Sequence, residues 1–193
     1  MDKASTLTEV SNLALTLLGE PAISSIDSTT EPAPTLRRVF PGVLRTHEAA
    51  YRWPELITEW APTEPEEELS SDDWYMYALP ADCLRILEEI DGYTYRIEGE
   101  YLITPSNAPT FRYLAYSEAV GDWGPQLLDV IAYALAIQVA PKLEQGVKTA
   151  EALRAVFDAR ILPQARRVSA MHGTGITYRA RRHRWSQRRM SWI

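Results

Sequence analysis

Cysteine is nearly missing from this sequence: Cys83 stands alone among 193 residues. That excludes an internal disulfide framework and any zinc centre built on several thiolates. Histidine is almost as scarce. His47, His172 and His183 lie far apart, with no pair at metal-ligand spacing, so no metal and no other cofactor is expected. No stretch approaches the roughly 18 consecutive apolar residues of a membrane-crossing helix. The opening MDKASTLTEV lacks a basic region followed by an apolar run, so synthesis in the cytoplasm is expected and no membrane association. Neither a Walker loop, a glycine-rich dinucleotide fingerprint nor a nucleophile elbow occurs, which removes the usual signals of nucleotide and acyl-transfer chemistry.

What is present is an ordinary folding composition, 46% hydrophobic and 24% charged, suited to one compact core. Thr6 and Glu9 have capping-box spacing, and Leu7, Val10, Leu13, Ala14, Leu17 and Leu18 recur at helical intervals until Gly19 and Pro21, which predicts a first helix over about 5–18. Leu36, Val39, Phe40, Val43, Leu44, Ala50 and Tyr51 trace a second over about 31–51, with a kink or two abutting helices expected at Pro41-Gly42. From Trp53 the prolines 54, 62 and 65 and the acids Glu64, Glu66, Glu67 and Glu68 read as an exposed loop. Short aromatic and β-branched segments then follow: Trp74 to Leu79, Leu84 to Ile90, Tyr93 to Ile97, Tyr101 to Thr104 and Thr110 to Tyr116. With turn signals at Asp91-Gly92 and Glu98-Gly99, they predict a small antiparallel meander inserted over about 56–117. Gly124-Pro125 opens a third helix, about 124–145, with Pro141 kinking or ending it, and a fourth reads over about 149–170. The expected fold is α+β: a four-helix bundle-like body over 1–172 carrying the β-meander insert, then an extended arm over 173–193.

Charge divides the chain more sharply than its net −6 suggests. From Gly173 to Ile193 there are six arginines, Arg179, Arg181, Arg182, Arg184, Arg188 and Arg189, and no acid. Taking 6 from 20 leaves 14 basic against 26 acidic residues before it, a body of −12 and an arm of +6. Like charges concentrated in one segment resist compaction, so the arm is expected to meet another surface. Its aromatics Tyr178, Trp185 and Trp192 suit interface anchors, and stacking on bases is the alternative reading. Neighbouring carboxylates occur at Asp72-Asp73, Glu88-Glu89 and Glu66 to Glu68. Adjacent strand residues point to opposite faces, which does not set two carboxylates across a cleft as glycoside hydrolysis requires.

The stretch Ala14-Leu15-Thr16-Leu17-Leu18-Gly19-Glu20-Pro21-Ala22-Ile23-Ser24-Ser25-Ile26-Asp27-Ser28, a helix closing on LLGE and leading into an I-x-S-I-D loop, resembles the head-to-tail adaptor and tail tubular proteins of tailed bacteriophages. Tyr51-Arg52-Trp53-Pro54 and Tyr77-Ala78-Leu79-Pro80-Ala81-Asp82-Cys83-Leu84-Arg85-Ile86 match that family's aromatic-proline region and its Y-x-L-P-x-D-C-L-R-I segment. The resemblance covers about Leu7 to Val168; the arginine-rich end lies outside it. It implies a non-enzymatic subunit of a homo-oligomeric ring, usually twelve-fold, at the virion's head–tail junction. The portal would lie above it, a downstream tail protein below, and double-stranded DNA would pass through without sequence-specific binding. On this reading the arm (Tyr178, Arg179, Arg181, Arg182, Arg184, Trp185, Arg188, Arg189, Trp192) binds the portal, and Glu64, Glu66, Glu67, Glu68, Asp72 and Asp73 line or rim the channel. The alternatives are a DNA-binding or packaging factor using the arm, or a tail-associated cell-wall hydrolase using Asp72 or Asp73.

Overall fold

The computed structural model describes residues 6–69, 74–143 and 146–173. Helix α1, Leu7–Leu18, begins with the expected reciprocal cap: the Glu9 N–H donates to Thr6 Oγ1 and the Thr6 N–H to Glu9 Oε2. It stops at Gly19, whose φ of 72° is a left-handed conformation that a side chain disfavours. The chain after it folds back on the helix. Asn12 exchanges two hydrogen bonds with the main chain of Ile23, and the Ile26 N–H donates to Thr8 Oγ1.

Helix α2, Ala33–Ala50, contains Pro41 within one continuous run, so of the two arrangements expected there, a kink or two abutting helices, the second does not form. Pro41 and Gly42 face outward while Phe40, Val43 and Leu44 are buried, so packing of the inner face outweighs the hydrogen bond that proline removes. Helix α3, Pro125–Val139, is enclosed on most sides, the pattern of a core helix. Val130, Ile131 and Leu135 have no exposed surface, each contributing about 1.5–3 kcal/mol. It ends earlier than the expected 145, in a 3-10 turn over Ala140–Lys142, where Pro141 supplies no N–H to continue it. Helix α4, Gly146–Val156, passes through one π-helical stretch, Phe157–Ile161, into α5, Leu162–Gly173. Helices α1, α2, α4 and α5 all pack on α3.

Seven strands lie between α2 and α3: β1 Ile57–Trp60, β2 Glu67–Leu69, β3 Trp74–Ala78, β4 Cys83–Glu89, β5 Arg96–Glu98, β6 Tyr101–Thr104 and β7 Phe111–Ala115. All pairing is antiparallel, but the expected meander is not what forms. The strands divide into a three-stranded sheet ordered β1-β7-β4 and a four-stranded sheet ordered β2-β3-β6-β5. The Glu98-Gly99 signal does mark a tight hairpin, with Glu98 opposite Tyr101. Asp91-Gly92 instead lies between strands of different sheets. Strands β1 and β2 correct the reading of this region as loop; prolines 54, 62 and 65 flank them without interrupting either.

Alternation along the strands explains the division. In β7, Phe111, Tyr113 and Ala115 join Tyr77 and Leu102 of the other sheet in one apolar cluster, while Leu114 joins the helical core. In β4, Ile86 and Cys83 face the sheet cluster while Leu84 and Leu87 pack on the helical side, helped by register shifts between Cys83 and Arg85 and between Ile86 and Glu88. Strands apolar on both faces belong to a buried layer. The three-stranded sheet is therefore the middle layer, between the helices and the four-stranded sheet.

Candidate functional site

The acidic stretch belongs to a sheet edge. Among the described residues β2 pairs with β3 alone, Glu67 opposite Met76, and the Glu66 N–H donates to the Met76 carbonyl at 2.7 Å. Glu64, Glu66 and Glu67 are exposed. Charge along an open edge discourages unwanted strand pairing, so this row has a structural use whatever it faces. Glu68 follows in the same strand, opposite Tyr75. Asp72 and Asp73 lie outside the described residues, as do Tyr178, Arg179, Arg181, Arg182, Arg184, Trp185, Arg188, Arg189 and Trp192 of the arm. Of the histidines, His47 packs edge-on against Phe157 with centroids 5.6 Å apart, and burial pushes its pKa down, helped by the positive Arg166. His183 is outside the described residues. Among the described residues no group of three His, Cys, Asp or Glu is placed to hold a metal ion.

Two charged arrangements were not anticipated. The first is a row across the middle sheet, where the register sets Glu59, Arg112 and Glu88 side by side. Arg112 reaches Glu59 at 2.7 Å and Glu88 at 3.4 Å, and Arg52 closes on Glu88 at 2.8 Å. The Glu88-Glu89 pair is divided by it: Glu88 serves this row while Glu89 Oε2 accepts the Tyr93 N–H. The second lies where the last turn of α2 meets the chain leaving β7. Leu36, Phe40, Leu44 and Glu48 recur every four residues, so Glu48 continues the buried stripe and has no exposed surface. Its Oε2 accepts the Ser117 N–H at 3.4 Å, and its Oε1 has no partner among the described residues. Burial pushes the carboxyl up to about 7, opposed by the Ser117 bond and reinforced by the negative Glu118. Beside it the Tyr116 hydroxyl donates to Glu118 at 2.6 Å, and Arg45 lies 5.2 Å from the Tyr116 ring centre. The Tyr116 phenol is pushed up to about 12, first by burial and then by its bond to Glu118.

A shallow cleft of about 490 Å³ opens where α3 begins and α5 ends, with Pro54, Glu55, Trp123, Gly124, Ser169 and His172 among its walls. Glu55 ties the 3-10 turn Pro54–Leu56 to the start of α3 by accepting the Gly124 N–H at 2.9 Å. A Cβ on residue 124 would lie 2.7 Å from that oxygen, closer than two such atoms can approach. Gly124→Ala should therefore displace Glu55 and lower stability by about 1–3 kcal/mol, the cost of leaving a partly buried N–H unpaired. Urea denaturation beside the wild-type chain measures it, and an unchanged midpoint would show that Glu55 moves freely.

Comparison of the chain with models of known protein families and with curated proteins returned no match.

Proposed function

We propose that this chain is a structural head-to-tail adaptor of a tailed-phage virion. It forms a ring of about twelve copies below the portal, attaches a downstream tail protein and surrounds the DNA channel. The observation that carries the reading is the order of the parts. Helix α1 closes on LLGE, its loop is bound back onto that helix through Asn12 and Thr8, and the β-layers are inserted between α2 and α3. That is the order the resemblance implies, with the four helical segments acting as a bundle-like body. The acidic edge of Glu64, Glu66 and Glu67 supports a channel rim, because negative walls avoid the phosphate contacts that dominate non-specific DNA affinity.

The arm beyond Gly173 is the portal anchor in this reading. Its six arginines can make bidentate bonds to carboxylates, and avidity around a ring offsets the ordering entropy of about 1–2 kcal/mol per residue. Fully extended, the arm spans up to ~70 Å, enough to cross between neighbouring rings. A chain ending at His172 is expected to stay folded and soluble while portal-containing heads remain without tails. Assembly in an extract of tailless heads, scored by electron microscopy, tests it. Docking of the shortened chain with normal affinity would remove the arm from this role.

A further inference from the structure

Among the described residues the outer sheet ends on β5, whose three residues are all exposed. Two large apolar side chains of this terminal hairpin are also open to solvent, Ile97 of β5 at 49% and Tyr101 of β6 at 41%. An edge strand with an apolar border invites another strand. The direction of its main chain follows from the hairpin: Glu98 and Tyr101 flank the two-residue turn Gly99-Glu100, and the residues flanking such a turn point their main chains at each other; the Thr104 hydroxyl, donating to the Thr94 carbonyl at 3.2 Å, is in the same phase. Alternation along an antiparallel strand then points the main chain of Arg96 and Glu98 at β6, and turns the N–H and C=O of Ile97 to the open edge.

The strand reads Arg96-Ile97-Glu98, which is complementary to itself when reversed. Laid antiparallel on a second copy about Ile97, each Ile97 N–H meets the other's Ile97 carbonyl. Arg96 stands opposite the other copy's Glu98 on both sides, and the two isoleucines meet at the centre. Moving the axis one residue either way sets arginine on arginine or glutamate on glutamate, which is unfavourable directly across a strand pair. The opposite edge of the sheet, with exposed Glu66 and Glu67, would bring acid to acid in the same manoeuvre. We propose that two copies of this chain pair through β5, joining two four-stranded sheets into one with a two-fold axis at Ile97. Such an isologous contact closes at two copies and does not propagate around a ring. It is therefore a separate contact from those of the adaptor reading and stands without it.

The test uses the full chain in analytical ultracentrifugation over a range of concentrations. The wild-type chain is expected to pass from monomer to dimer. Arg96→Glu alone and Glu98→Arg alone each place like charges across the axis and should weaken dimerisation at least ~10-fold. Mixing the two variants places two glutamates opposite two arginines and should restore it, an effect that loss of the Arg96–Glu98 ion pair within one chain (2.8 Å) cannot produce. Ile97→Pro removes only the outward N–H and should also leave a monomer, with thermal unfolding showing that each variant is folded. A wild-type chain that stays monomeric, assembly only into larger rings indifferent to these variants, or a mixture that does not regain dimer would overturn the proposal.

Discussion

Glu48→Gln is expected to make the protein more stable at pH 8 and to leave it nearly unchanged near pH 4.5. Folding encloses Glu48 completely, leaves one carboxyl oxygen without a partner among the described residues and raises its pKa from 4.5 to about 7. The folded state therefore favours the protonated form. Its contribution is fully present below the unfolded value and is lost as pH rises through the folded one. The full loss approaches about 3 kcal/mol at alkaline pH by linkage at ~1.4 kcal/mol per pKa unit, and an amide, which does not ionise, escapes it. His47, next in sequence, has the opposite sign: its pKa is lowered by burial and by Arg166, so its contribution is lost as pH falls below the ordinary imidazole range. The two slopes oppose each other in the wild-type chain. The difference between wild type and Glu48→Gln isolates the carboxyl, and should widen steadily from pH 4.5 to pH 7.5 in urea titrations. A difference independent of pH would mean that Glu48 is ionised and paired in solution.

Trp53→Ala should cost about 3–5 kcal/mol, the range for removing a large enclosed aromatic. Trp53 has no exposed surface, packs edge-on against Tyr51 at 5.2 Å and donates its Nε1–H to the His47 carbonyl at 2.8 Å. That bond satisfies a carbonyl in the last turn of α2, where helical partners run out. Trp53→Phe keeps most of the apolar surface and loses the donor, so about 1–3 kcal/mol is expected. Calorimetry on the three chains should rank them wild type, Phe, Ala; equal losses for the two variants would show that the hydrogen bond, and not the volume, carries the site.

What could be read in advance was local. The Thr6–Glu9 cap, the stop at Gly19 and the proline-opened start of α3 depend on residues within one turn of each other. The predicted strands from Trp74 onward lie close to those observed, but their partners do not follow from their order, because pairing of β3 with β6 and β4 with β7 is decided by which faces find cover. β1 and β2 are four and three residues long and stand among prolines, so composition outweighed a weak alternation. At Pro41 the helix runs on because Phe40, Val43 and Leu44 around it are buried on its inner face. Glu48 was within reach, since it continues the series Leu36, Phe40, Leu44, but a carboxylate at the end of an apolar stripe reads as the stripe's end.

The long C-terminal helical run holds one more lesson in its middle. A π turn takes in an extra residue, and between Phe157 and Ile161 it advances the second half of the run relative to the first. Ala150 and Phe157 are buried in one phase, Ala165 and Ser169 in another, and both halves still reach α3. The outward surface is consequently two short facets, not one straight ridge. Any neighbour lying along this helix must change its own footing halfway, as a screw does when its thread skips a notch.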